Sequence, residues 1–177
     1  MDSKKIPLII GLSLPVFLVI ALAAILYLPR FYVKPSYDFL YANGNYPSYY
    51  DANTSAQVAY TIADSRLTKQ SLPLEPKEKP WVSNLNPPQF YRYSVLEERS
   101  VPLSSEEAMN LRLNINPESP DGFTLKRSGE NLFEAIFAGG NYGQKSLSKG
   151  TVSFPVDLVE NSTYGYDRQQ FIGWVIP

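Results

Sequence analysis

Neither cysteine nor histidine occurs among the 177 residues. Without cysteine no disulfide braces the fold. Without histidine the chain lacks the commonest general base, the common zinc ligand and the usual pH switch. An exported domain of about 140 residues buries enough apolar surface to fold without cross-links, so the missing cysteine permits export without requiring it. Charge is scarce too: 19% of residues are charged and the net charge is −1. Setting aside Asp2, Lys4 and Lys5 leaves 14 of the 16 basic and 16 of the 17 acidic residues for the rest of the chain. A surface that binds nucleic acid needs an excess of Lys and Arg, so nucleic acid is not an expected partner. Any enzyme built from this chain has to work with carboxylates, Ser, Tyr or Lys.

Aromatic and turn residues are abundant: 13 Tyr, 9 Phe and 2 Trp beside 15 Pro and 10 Gly. High Tyr, Pro and Gly with modest Leu beyond the first thirty residues fit short strands and many turns. The expected fold class is mainly β: an N-terminal transmembrane helix, then one antiparallel β-rich domain, sheet or sandwich-like, with one short helix.

The helix is expected from a single long apolar run. No charged residue occurs from Ile6 to Pro29, and the run rises about 36 Å as a helix against a hydrocarbon core of about 30 Å. In lipid the backbone satisfies its own N–H and C=O groups only as a helix or a closed barrel. Pro15 frees a carbonyl near Gly11, a kink that Ser13 or a neighbouring helix can compensate. Tyr27, Phe31 and Tyr32 stand where an interfacial aromatic belt belongs. Lys4, Lys5 and the terminal amine precede the run, while Arg30 and Lys34 follow it, a slight preference for a cytoplasmic N-terminus. The rival is a cleaved signal peptide, since Ala21-Leu22-Ala23 has the small-x-small pattern of a cleavage site. Apolar residues continuing to Leu28, and Pro15 within the run, oppose it. The expected layout is a cytoplasmic tail over 1–5, the membrane helix over 6–29, a juxtamembrane aromatic and turn-rich segment over 30–55, and an exported β-rich domain over 56–177. The chain is then a single-pass protein of the cell membrane with its C-terminal domain extracytoplasmic.

Within 30–55, tyrosines alternate with Pro35, Asn43-Gly44, Asn45 and Pro47, which reads as a loop or short hairpin rather than a packed element. Gln57–Ile62 alternates as a strand, Asp64-Ser65 turns it, and Arg66–Lys69 returns. Prolines 73, 76, 80, 87 and 88 make 71–88 an extended connection pinned by Trp81. Phe90–Leu96 is a strand. Ser104-Ser105-Glu106-Glu107 is a capping box opening a short helix with Ala108, Met109 and Leu111 on its apolar face. Ser119-Pro120-Asp121-Gly122 is a turn leading into the strand Phe123–Leu125. Further strands are expected at Leu132–Phe137, Thr151–Val159 and Phe171–Ile176.

Phe90-Tyr91-Arg92-Tyr93-Ser94-Val95, with Val101-Pro102-Leu103 and then Ser119-Pro120-Asp121-Gly122-Phe123, resembles the strand and SPDG turn of TolB-type, WD40-like β-propeller blades. Gly173-Trp174 is similar to the start of another such unit. The resemblance implies a blade-like sheet. It covers about a quarter of the chain and departs from the family in having one SPDG where a propeller needs four or more blades of about 40 residues. The whole layout also resembles small uncharacterised single-pass proteins of reduced-genome bacteria.

Other motifs fail on context. Ser146-Leu147-Ser148-Lys149 spells the S-x-x-K of penicillin-binding proteins but lies in a strand-like stretch without the partner motifs. Glu97-Glu98 and Glu106-Glu107 are adjacent carboxylates, not a facing pair. Gly139–Gly143 lacks the spacing of a phosphate loop, and Asp121-Gly122 lacks the further ligands of a calcium loop. Asn53-Thr54-Ser55 and Asn161-Ser162-Thr163 match the glycosylation sequon. No catalytic, metal or cofactor-binding residue is expected, and no cofactor. The expected binding surface is aromatic: Tyr46, Tyr49, Tyr50, Tyr142, Tyr164 and Tyr166, stacking on a protein partner or a glycan, with the lipid bilayer as the other partner. The leading function is therefore a membrane-anchored extracytoplasmic binding or structural module, for instance a subunit of an envelope complex. The alternative is an envelope hydrolase acting on glycan or peptide through two carboxylates about 5–9 Å apart.

Overall fold

The computed structural model describes residues 6–51, 54, 56–73, 87–127, 145–150, 152–159 and 169–177. The expected strand at Leu132–Phe137, residues 74–86 of the expected connection with Trp81, the glycine run at 139–143, Asn53 and Ser55 of the first sequon and the whole of the second lie outside them. The start of that connection, Ser71 to Pro73, is not a connection but the end of a strand paired with Ala56 to Val58. A helix, α1, forms at Ile6–Tyr27, and a single further turn, α2, at Pro29–Tyr32. Side chains of α1 are described from Ser13 to Ile25, a stretch that rises only about 20 Å. Among the described residues no helix is long and apolar enough to cross a membrane.

The β content is as expected, and every strand pair is antiparallel. The strands are β1 (Phe39–Asn43), β2 (Ser48–Asp51), β3 (Ala56–Ala63), β4 (Arg66–Pro73), β5 (Gln89–Ser94), β6 (Arg99–Leu103), β7 (Arg112–Asn114), β8 (Thr124–Arg127), β9 (Lys145–Lys149), β10 (Val152–Val156) and β11 (Gln170–Ile176). Eight of them form one sheet in the order β2-β3-β4-β7-β11-β1-β5-β6, and the other three form a small sheet, β10-β9-β8. Helix α3 (Ser105–Asn110) starts from the capping box read in the sequence. Ser104 Oγ accepts from the Glu107 N–H at 3.2 Å, while the Glu107 carboxylate accepts from the Ser104 N–H at 2.8 Å.

The largest departure from the sequence reading is β1. Residues 39–43 were expected in an unpacked juxtamembrane stretch, yet they form an inner strand of the large sheet, buried at all five positions. Alternation sends Leu40 and Ala42 to one face and Phe39 and Tyr41 to the other, and each face has its own core. The first holds Leu40, Ala42, Val58, Tyr60, Leu67 and Phe90 with Ala108 of α3. The second holds Phe39, Tyr41, Tyr93 and Trp174 against Phe123, which immediately precedes β8, and Leu147 of β9. A strand covered on both faces shows no polar alternation, so its sequence carries none of the pattern that marks a half-buried strand.

The large sheet is rolled. Tyr60 on β3 and Phe90 on β5 stand five places apart in strand order, which in a flat sheet is about 24 Å. Their ring centroids are 5.1 Å apart, edge to face. The sheet bends where β4 meets β7 through one register pair, Arg66↔Arg112, and curls around the first core.

A β-bulge completes β1's surroundings. Phe39 pairs with Trp174 and Leu40 with Gly173, but Tyr41 pairs with Phe171. The extra residue, Ile172, drops into the first core while Phe171 and Trp174 stay together on the second, rings 5.2 Å apart. This is the re-aiming that a bulge provides. At Gly173 an added Cβ would sit 3.0 Å from the Asn114 carbonyl oxygen, so the close approach of β7 to β11 requires glycine.

Leu40→Ala should cost about 2–5 kcal/mol through the cavity it leaves, and Gly173→Ala about 1–3 kcal/mol through overpacking. Ile115→Ala, at a position 60% exposed, should stay within about 0.5 kcal/mol of wild type. Chemical denaturation of the full chain in mild detergent reads all three. Equal midpoints for the Leu40 and Ile115 variants would contradict the two-faced burial of β1.

Candidate functional site

The polar residues with the most organised geometry gather where the chain enters the β-domain. Ser119-Pro120-Asp121-Gly122 forms the turn expected of it. The Gly122 N–H donates to the Ser119 carbonyl at 2.9 Å, and Gly122 sits at φ +85, a conformation open to glycine. The Ser119 hydroxyl donates to Asp121 Oδ1 at 2.5 Å and accepts from the Phe123 N–H at 2.7 Å. Phe123 is thereby placed in the second core. Asp121 Oδ2 then accepts two bonds from a residue 85 positions earlier, the Ser36 N–H at 2.7 Å and the Ser36 hydroxyl at 2.8 Å. Lys149, at the β9–β10 turn, donates to the Asp121 carbonyl at 2.5 Å and lies 5.6 Å from the Phe123 ring centroid.

Two residues on, Asp38 makes a second tie. Its carboxylate accepts from Arg92 Nε at 2.8 Å and from the Val95 N–H at 2.9 Å, and its carbonyl accepts from the Val175 N–H. Val33 and Tyr37 pack against the second core. From Val33 to Phe39 the chain is therefore fastened at nearly every residue.

Electrostatics at this junction favour structure over catalysis. Burial opposes ionisation of Asp121, but the hydrogen bonds from Ser119 and Ser36 outweigh it and hold the carboxyl below its ordinary value. Phenols are shifted the other way. Burial pushes Tyr93 up to about 12, with Glu98 and Asp157 adding to it. Burial also raises Tyr41, against the hydrogen bonds to Ser100 and from Val159. Tyr46 and Tyr49 are raised by burial as well. These four phenols stay protonated near neutrality and supply no phenolate base.

The S-x-x-K pair is likewise committed elsewhere. Ser146 and Lys149 stand three apart on a strand and face opposite ways. Ser146 is buried with its hydroxyl 3.3 Å from that of Ser148, and Lys149 is held on Asp121. An open groove of about 510 Å³ runs beside the SPDG turn, lined by Asn114, Asn116, Pro117, Glu118, Ser119, Pro120 and Thr124. Glu118 is the one carboxylate among those lining residues. The Ser119 and Thr124 hydroxyls are used within the fold, so the Asn114 and Asn116 amides are the lining groups suited to hydrogen bonding.

Of the six tyrosines expected to form a binding surface, three are described. Tyr46 is half-buried, edge-on to Phe90 at 6.4 Å, and Tyr49 is buried and stacked on Tyr60 at 6.4 Å. Tyr50 is half-buried on β2. Tyr142, Tyr164 and Tyr166 lie outside the described residues. Sequence reasoning missed Ser36, Asp38 and Arg92, and weighed Lys149 only as part of S-x-x-K. The turn that engages Ser36 and Lys149 was visible, but nothing local marks a partner 85 residues away.

No protein-family model, no curated protein and no solved structure matches the chain. What the fold and the junction define is a class: a rolled β-rich domain fastened without slack to the end of an apolar N-terminal helix.

Because the folded carboxyl of Asp121 lies below its ordinary 3.8, the tie to Ser36 contributes fully above that pH and is lost as pH falls through the lower folded value. The Ser36 amide resonance should therefore hold its position down to pH 4 and move only in more acidic solution. In Asp121→Asn it should occupy the displaced position at neutral pH. Movement of the wild-type resonance between pH 5 and 7 would contradict the assignment.

Proposed function

We propose that this chain is a membrane-anchored extracytoplasmic binding or structural module, with α1 as its single membrane span and the β-domain on the exported side. The observation that carries the reading is the exposure of α1. Leu14, Val16, Phe17, Leu18, Val19, Ile20, Leu22 and Ile25 are all at least half exposed. Four of them, Phe17 to Ile20, are consecutive and so cover every side of the helix. A helix that is apolar all round belongs in a protein core or in lipid. Among the described residues neither buried cluster includes a residue of α1, which favours lipid.

The uncharged run from Ile6 to Pro29 supplies the length, and Phe31 and Tyr32, 73% and 83% exposed, are suited to the interface where the helix ends. Lys4 and Lys5 favour a cytoplasmic N-terminus. The near-neutral head and the neutral, partly buried phenols support a binding or scaffolding role over a catalytic one. A protein partner or a glycan is the proposed ligand, and the groove beside the SPDG turn offers the Asn114 and Asn116 amides beside a mostly apolar lining to hold it.

Full-length chain expressed in cells should sediment with membranes and resist alkaline carbonate extraction. A chain starting after residue 28 should appear in the soluble fraction. Recovery of uncleaved full-length protein in the soluble fraction would overturn the reading, as would a membrane-fraction product lacking the first 23 residues.

A further inference from the structure

The junction fixes which end of the β-domain looks back towards α1. Tyr32 ends α2, Val33 is already packed on the second core, and α2 lies against β10. Ser36 and Asp38 are each held by more than one bond to distant parts of the fold. No free linker separates the helix from the sheet, so the rim of the sheet at which β1 begins stands at the end of α1.

Strand register shows what lies on that rim. Phe39 pairs with Tyr93, so β5 finishes there and the β5–β6 turn projects from it. Phe39 also pairs with Trp174, and Ile176 pairs with Arg112, which pairs in turn with Arg66. The β3–β4 tip therefore reaches the same rim. Two features stand out. Leu96, at the apex of the β5–β6 turn, is 93% exposed, more than any other exposed large apolar side chain among the described residues. Beside the β3–β4 tip, Arg66 and Arg112 face each other across two strands, both exposed. Like charges directly opposed across a strand pair are unfavourable. Arg112 Nη1 donates to the Pro177 oxygen at 3.3 Å, and no side-chain carboxylate pairs with either arginine among the described residues.

Resting on the anchored reading, we propose that this rim is a lipid-contact surface: the β-domain lies on the bilayer that holds α1, with Leu96 entering the interface and Arg66 and Arg112 meeting lipid phosphates. The occupant follows from continuity. A helix that ends in the headgroup layer and passes directly into the fold brings the rim into that layer, where a leucine meets acyl chains and a guanidinium meets phosphate oxygens. The opposite rim, where β5 starts at Gln89, faces away.

The natural absence of cysteine makes single-site labelling clean. Leu96→Cys and, at the opposite rim, Gln89→Cys would each be labelled with an environment-sensitive fluorophore in the full chain. The labelled chains would be reconstituted into phosphatidylcholine vesicles containing a headgroup-attached spin-label quencher. Positions 89 and 96 lie about 20 Å apart along β5, so with the β5–β6 rim on the bilayer quenching at position 96 should exceed that at position 89 about threefold or more. Adding Arg66→Gln and Arg112→Gln should reduce that ratio. Asp121→Ala, which releases Ser36, should bring it towards one. Equal quenching at both positions in chains that float with the vesicles would overturn the proposal while leaving the anchor intact. Failure of the full chain to float with the vesicles would overturn the anchor, and the proposal with it.

Discussion

A strand with no polar face governs this fold. Once β1 buries Phe39, Leu40, Tyr41 and Ala42 completely, something apolar must cover the sheet on both sides. The chain supplies two different covers. On the Leu40 side the sheet covers itself, rolling until Tyr60 reaches Phe90, with α3 filling the end. On the Phe39 side the small sheet β8–β10 closes over the strand. Fully burying a large apolar side chain contributes about 1.5–3 kcal/mol before the entropy of ordering the strand is set against it, so exposing even one or two of these side chains is large beside the marginal net stability of a domain.

The two covers explain why a chain without cross-links organises around aromatic rings. Phe39 touches four of them: Tyr93 stacked at 5.1 Å, Trp174 edge-on at 5.7 Å, and Tyr41 and Phe171 tilted at about 6 Å. Tyr41 continues the set by stacking on Tyr91 at 5.2 Å. Such pairs add about 0.5–1.5 kcal/mol each beyond area burial. Tyrosine brings a polar end as well. The Tyr41 hydroxyl donates to Ser100 and accepts from the Val159 N–H, fixing the segment after β10 without a covalent bond. Ring contacts and phenol hydrogen bonds hold together elements that a disulfide would hold in a cysteine-rich domain.

Legibility of the sequence followed locality. The α3 capping box, the Asp64-Ser65 turn, the SPDG turn and the alternating strand at 57–62 are specified by residues within a few positions of one another, and each forms where its chemistry predicts. The β1 strand and the Ser36–Asp121 tie are set by partners far along the chain. Phe39-Leu40-Tyr41-Ala42 lacks alternation because both of its faces are covered, and the turn residues at Pro35 and Asn43-Gly44 bound the strand rather than prevent it. β9 was read only as a strand-like stretch and not placed among the strands, for a related reason. Ser146 and Ser148 are serines with buried hydroxyls, so the strand shows its apolar face through Leu147 alone. Tyr46 and Tyr49 drew attention as candidates for a sticky surface, but tyrosine marks core and surface alike, and these two pack on Phe90 and Tyr60.

The junction between helix and sheet follows from the same constraint. A flexible tether would suffice to join a helix to a folded domain, yet Val33 to Asp38 are tied by packing, by two bonds to Asp121 and by the Arg92 ion pair. The reason lies one residue further on. β1 is the strand both cores depend on, and it begins immediately after those ties, so any motion of the incoming chain would pull on Phe39. Ser36 and Asp38 isolate the most buried strand from whatever α1 experiences. The cost of that isolation is rigidity: what clamps the strand also clamps the orientation of the domain relative to the helix, and a chain built this way transmits a tilt of one to the other.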